Sequence, residues 1–156
     1  MGQNSSASTR KPPGTRADYR FFAPVGTRWN DNDMLGHVNN VVYLSFCDTV
    51  LTAFELKHLG IDLIHGGDIS VVMAEVSCRF HSSVSFPDNL TVGLRVAHIG
   101  KTSYIYEMAV FREDDDIAAA EGRFIRVLVT MPGQHPVPIP DSLRQVLGGF
   151  VAQSET

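Results

Sequence analysis

The chain has 156 residues, 44% of them apolar and 19% charged, with a formal net charge of -4. Such a length and composition fit one soluble globular domain able to bury a sizeable core. The acidic balance excludes a general nucleic-acid surface, because neutralising phosphates takes a basic excess, and no apolar run is long enough for a membrane span.

In chain order, residues 1–17 are rich in Ser, Gly, Pro and basic side chains and have almost nothing to bury. They are expected to form a flexible tail ahead of a single domain over 18–150. The N-terminus has no apolar signal-peptide core, so a cytoplasmic protein is expected. Phe21, Phe22 and Val25 predict a first strand within Arg20–Trp29, with Pro24 limiting its pairing. Asn39 is a good helix cap, Val38 and Tyr43 occupy the positions of a hydrophobic staple, and Gly60 is a natural stop. A helix over Asn40–Leu59 follows. Its apolar residues cover most of its circumference, leaving Ser45, Asp48, Thr52 and Glu55 as a polar stripe, so other structure must wrap it. The period then changes to two. Val72, Ala74, Val76, Cys78 and Phe80 alternate with polar neighbours, and Leu90, Val92, Leu94 and Val96 do so again. Two more strands, Thr102–Arg112 and Ile117–Thr130, follow short turns, and antiparallel meander pairing of the four is expected. Pro132–Pro140 predicts an extended connector, and Asp141–Leu147 a short terminal helix. The layout is α+β. Cys47 and Cys78 belong to no metal-binding or CxxC spacing and are expected as free thiols.

The segment Arg28–Tyr43 carries the chemistry. Asp31, Asp33 and His37 lie on a Gly-containing loop that runs directly into the helix start. The first N–H groups of a helix lack intrahelical acceptors, so a carbonyl oxygen placed before Asn39, Asn40 and Val41 would be stabilised as it gains negative charge. A carboxylate there can attack such a carbonyl or activate water. A carboxylate can equally cap its own turn, and a loop histidine is often structural. Asp31 reads as scaffolding for the loop. A metal site at Asp31, Asp33 and His37 is not expected, because further Cys or His ligands at suitable spacing are missing.

The order of elements together with the Asp31-x-Asp33-x-x-Gly36-His37-Val38-Asn39-Asn40 motif and Tyr43 resembles the hotdog-fold thioesterases, in particular the 4-hydroxybenzoyl-CoA thioesterase-like branch. Phe86-Pro87-Asp88 and Ile99-Gly100-Lys101-Thr102-Ser103 fall in the order that resemblance expects, and the likeness spans about Arg20 to Thr130. It implies a five-stranded antiparallel sheet wrapped around one long central helix. It also implies a homodimer with a sheet continuous across both subunits, or a homotetramer, with active sites at the subunit interface. The same stretch resembles the catalytic segment of plant acyl-ACP thioesterases at Asp33 and His37, but Leu35 stands where those enzymes carry Asn.

The expected function is therefore hydrolysis of an acyl-CoA or acyl-ACP thioester without a cofactor. The resemblance makes Asp33 the nucleophile or general base, with the amide of Asn40 or its neighbour polarising the carbonyl. His37 is a further catalytic candidate that could orient Asp33 or bind the carbonyl. Asn39, Val41 and Tyr43 are candidates for holding the substrate. Asp48 is a reserve carboxylate, although Asp48 and Glu55 read first as polar contacts to the sheet or a neighbouring subunit, and Lys101, Arg79 and Arg95 are candidate phosphate contacts. An enoyl-thioester hydratase fits less well, because those relatives set Asp and His five positions apart in a Gly-Asp-x-Asn-Pro context. A non-catalytic thioester-binding domain is the remaining alternative.

Overall fold

In the computed structural model, which describes residues 10–60 and 67–152, helix α1 covers Asn40–His58. Its start is fixed by Asn39, whose side-chain carbonyl accepts the Val41 N–H at 3.0 Å, and the staple pair Val38 and Tyr43 is buried beneath it. At the other end the N–H groups of Leu59 and Gly60 both reach the Glu55 carbonyl, and Gly60 takes a φ of 95° that favours glycine. Phe46, Cys47, Val50, Leu51 and Phe54 are buried along the helix. Its exposed stripe runs through Val41, Ser45, Asp48, Thr49 and Leu56, and Glu55 is instead fully buried.

Five strands wrap the helix: β1 (Phe21–Gly26), β2 (Ile69–Phe80), β3 (Asn89–Ile99), β4 (Ser103–Arg112) and β5 (Ala120–Thr130), all antiparallel in the order β1-β3-β4-β5-β2. The α+β layout and the hotdog arrangement of sheet around helix are as the sequence predicts, with helix α2 (Asp141–Gly148) added at the end. The meander is shorter than expected. β3, β4 and β5 pair in sequence, whereas β2 pairs with β5 and does not touch β3. The physical reason is the connection between β2 and β3. It spans residues 81–88 and is anchored to the start of α1 through Val84, so it crosses from one side of the sheet to the other rather than turning back.

The alternation expected along β2 is also interrupted. A bulge at Ala74 sets Met73 opposite Arg126 and Glu75 opposite Ile125. One extra residue moves the pattern by half a period, so Val71 and Met73 face the core before the bulge and Cys78 after it. β2 forms one edge of the sheet and β1 the other, where Pro24 is tolerated. The Pro-rich segment is extended as expected. Val137 donates to the Leu128 carbonyl and Ile139 to that of Lys101.

A smaller apolar cluster (Tyr19, Ala109, Phe111 and Ala118) lies on the outer face of the sheet, turned away from α1. The tail expected over residues 1–17 lies outside the described residues up to residue 9, and residues 10–17 are held against this face. Arg10 donates to the Phe80 carbonyl, Thr15 bridges Ile117, and Arg16 donates to the carbonyls of Arg112, Glu113 and Asp115. Both cysteines are free, and burial pushes their thiols above the usual range.

Candidate active site

The loop ahead of α1 is a closed unit built from its own polar groups. A single 3-10 turn at Trp29–Asp31 buries the Asp31 carboxylate, which accepts the Arg28 N–H at 2.7 Å and the Arg28 guanidinium at 3.1 Å. The Asp31 carbonyl accepts the Asn39 N–H at 2.9 Å, tying the loop to the helix cap. Between them the chain makes a narrow excursion. Asn32 bridges Val38, the Asp33 N–H donates to the His37 carbonyl at 2.9 Å, and the Gly36 N–H returns to the Asp33 carbonyl at 3.1 Å. Gly36 sits at a φ of 79°, which lets the turn close without steric cost.

Asp33 therefore stands at the base of the excursion, exposed. One of its oxygens accepts the Leu35 N–H at 2.8 Å, and the other has no partner among the described residues. The carboxylate is thus held by its own turn while keeping one oxygen available. His37 closes the loop through its backbone, and its exposed ring makes no hydrogen bond, ion pair or ring contact among the described residues. The helix amides are not equivalent. The Val41 N–H is taken by the Asn39 side chain and the Val42 N–H by the Asn39 carbonyl, while the Asn40 N–H has no acceptor among the described residues. Of the three positions singled out by sequence, Asn40 retains a free main-chain donor at the helix start.

Tyr43 belongs to the core beneath the loop. Its side chain is buried, packs edge-on against Phe80 at 5.2 Å, and its hydroxyl accepts the Val84 N–H at 3.0 Å. Burial keeps that hydroxyl in its protonated form, above the ordinary tyrosine range. Tyr43 thereby fixes the 81–88 connection to the helix. The same connection holds the loop by three further bonds: Val38 N–H to the Val84 carbonyl, Phe86 N–H to the Asn32 side chain, and the Thr27 hydroxyl to the Asp88 carbonyl. The expected candidates did not include Asn32 or Val84. Asn32 could have been noticed as a side-chain acceptor inside the motif, whereas Val84 acts through its backbone and leaves no trace in residue type.

Around this frame the surface is apolar. Trp29, Met34, Leu35 and Val41 are 77%, 103%, 81% and 72% exposed, and Phe86 packs on Trp29. Asp48 lies exposed on α1. Among the described residues no group of three or more His, Cys, Asp or Glu side chains is placed to hold a metal ion, and no helix is long and apolar enough to cross a membrane.

Residues 27–147 match the model of the thioesterase-like superfamily. The PA5185 protein of Pseudomonas aeruginosa is 40% identical and superposes with a TM-score of 0.86, over 92% of this chain and 100% of that one. A thioesterase from Thermus thermophilus, solved with coenzyme A and Zn, is 26% identical with a TM-score of 0.72, over 85% of this chain and 95% of that one. A 1,4-dihydroxy-2-naphthoyl-CoA thioesterase from Synechocystis, 16% identical, shares the fold with a TM-score of 0.75 over 82% of this chain and 95% of that one. No curated protein matches the chain.

Proposed function

The chain belongs to the thioesterase-like superfamily, and we propose that it hydrolyses a fatty or aromatic acyl-CoA thioester to the free acid and the CoA thiol. The observation that carries this reading is the closed loop, which, among the described residues, holds Asp33 with one oxygen free beside a helix whose Asn40 N–H has no acceptor. A thioester is suited to so modest a constellation. Its carbonyl is electrophilic and its thiolate leaves readily, so a carboxylate is a sufficient nucleophile or base. The carbonyl oxygen would lie at the Asn40 amide, where the helix terminus stabilises the charge that develops as the carbon becomes tetrahedral. In one route Asp33 attacks that carbon, the C–S bond breaks to give thiolate and an acyl–Asp33 anhydride, and water then hydrolyses the anhydride to the free acid and supplies the thiolate's proton. In the other, Asp33 takes the proton of an attacking water and returns it to the thiolate as the C–S bond breaks. His37 acts beside it at the loop closure, and Asp31 keeps the frame. No cofactor takes part in this scheme.

The active unit in this reading is a homodimer or homotetramer. The open edge of β2 and the exposed apolar residues around the loop would be covered by a second copy. An acyl-ACP substrate uses the same chemistry with a different carrier. The Asp33–Leu35 bond is the one observation favouring a non-catalytic thioester-binding domain, since a carboxylate that caps its own turn has a structural use. One assay separates these readings. With a panel of saturated, unsaturated and aromatic acyl-CoAs, free thiol release is expected, and Asp33→Asn should lower it by about a hundredfold or more. Tight binding without thiol release, or full activity in Asp33→Asn, would overturn the assignment.

A further inference from the structure

A concave cavity of about 330 Å3 opens on the outer face of the sheet, on the side away from α1. Its walls carry four cations, Lys11, Arg79, Arg95 and Arg123, against two carboxylates, Glu107 and Glu121. Both carboxylates are already engaged. Glu107 pairs with Arg95 at 2.6 Å. Glu121 meets His81 at 2.8 Å with one oxygen and accepts the Tyr19 hydroxyl and the Gly14 N–H with the other. Arg95 is committed further, donating to the Asp18 carbonyl and lying over the Tyr19 ring. Lys11, Arg79 and Arg123 are left without a carboxylate partner among the described residues.

The positions of these three are set by the fold. Arg79 is opposite Glu121 and Arg123 opposite Ser77, so the two arginines are diagonal neighbours across β2 and β5. Diagonal neighbours of this kind have Cβ atoms about 7 Å apart, within joint reach of one small ligand. Lys11 approaches from the N-terminal segment that Arg10, Gly14 and Thr15 pin to the sheet. Four cations against two carboxylates leave an excess of two positive charges in one concavity, a local reversal of sign in a chain of net charge -4. Guanidinium groups bind phosphate oxygens through paired N–H donors, and a concave wall raises the local potential further.

We propose that this cavity binds a small ligand bearing two or more phosphate groups, held by Arg79, Arg123 and Lys11. The shared chemistry has two sources, the nucleotide end of the thioester's carrier or a free nucleotide, and the proposal stands without the hydrolytic reading. Calorimetric titration of the full chain with pyrophosphate and with adenosine 3′,5′-bisphosphate tests it. Saturable binding that weakens with added salt is expected. Arg79→Gln and Arg123→Gln should each reduce affinity by about tenfold or more, whereas Lys57→Gln, at an exposed cation on α1, should leave it unchanged. Both arginines are exposed, and unchanged melting curves would confirm that the variants fold. If the carrier is the source, the arginine variants raise KM for acyl-CoA at constant kcat. If a free nucleotide is the source, KM is unaffected while nucleotide binding falls, and either result supports the site. Absence of binding at millimolar concentration, or equal weakening by Lys57→Gln, would overturn it, and neither depends on whether thioester is hydrolysed.

Discussion

The two ends of α1 treat their carboxylates in opposite ways. Near the C-terminal end Glu55 is fully buried, and Arg126 of β5 grips it through two bonds, at 3.1 and 2.6 Å, while the Tyr104 hydroxyl donates a third at 3.1 Å. Burial alone works against the Arg126 charge, but Glu55 outweighs it and holds the guanidinium above its ordinary value. Ahead of the N-terminal end Asp33 is exposed and keeps one oxygen unbonded among the described residues. The difference separates polar groups that hold the fold from those open to a substrate. Asp31, two residues from Asp33, belongs with Glu55, because its carboxylate is buried and both its oxygens accept bonds.

The contrast is broken most strongly at Arg126. Arg126→Ala strands the Glu55 charge in the core, and a loss of about 3–5 kcal/mol of stability is expected in urea unfolding. Replacing both partners by leucine should recover much of that, since an apolar pair of similar volume avoids the uncompensated charge. A single variant as stable as the parent would show that Glu55 is rehydrated or neutralised without cost. Asp31→Ala comes next. It removes the acceptor of the part-buried Arg28 N–H, for about 1 kcal/mol, and in the proposed function hydrolysis should fall with it because the loop frame loosens. Asp33→Asn should instead shift stability by less than about 0.5 kcal/mol while removing turnover. If the two aspartates gave the same pattern, the division between scaffold and reacting group would fail.

Much of this was legible in the sequence, for reasons tied to particular residues. Asn39, Val38, Tyr43 and Gly60 are local signals, and each fixes the helix through contacts a few positions away. The loop ahead of α1 was legible as a unit because its closure runs from Asp31 to Asn39 within one short stretch. What depended on distant partners was not. The crossing from β2 to β3 rests on Val84, whose backbone meets Val38 and Tyr43, and hydrophobic periodicity carries no information about which strand a segment will join. The bulge at Ala74 changed the facing of β2 for the same reason, since an extra residue alters register without altering composition. Glu55 read as a polar contact to the sheet or a neighbouring subunit, and it meets Arg126 and Tyr104 of the sheet. Its partner was signalled too: Phe124, Arg126 and Leu128 share one face of β5, so an arginine points inward among apolar neighbours and needs an acid there. The cavity between Arg79 and Arg123 was hidden because its charges come from two strands whose pairing was expected otherwise.

The smallest effect belongs to another polar group, His58 at the end of α1, which fits neither class. Its ring sits among Phe21, Phe54 and Phe150, and its Nε2 is buried with no partner among the described residues. Burial, reinforced by Lys57, pulls its pKa below the ordinary histidine value. The unfolded chain then binds this proton from about pH 6.5 downward, whereas the folded chain binds it only at lower pH. Between the two values the unfolded state holds more protons, so stability falls as the pH drops through that window and is unaffected above it. His58→Phe keeps an aromatic ring in the same cage and removes the titration. The chain has six histidines, so the informative quantity is the difference between parent and variant in their urea midpoints at pH 8 and pH 5.5. The parent should lose more stability than the variant over that interval. Equal losses would mean that the ring is hydrated when it takes its proton, and that this end of the helix is open to water in the way its N-terminal end is.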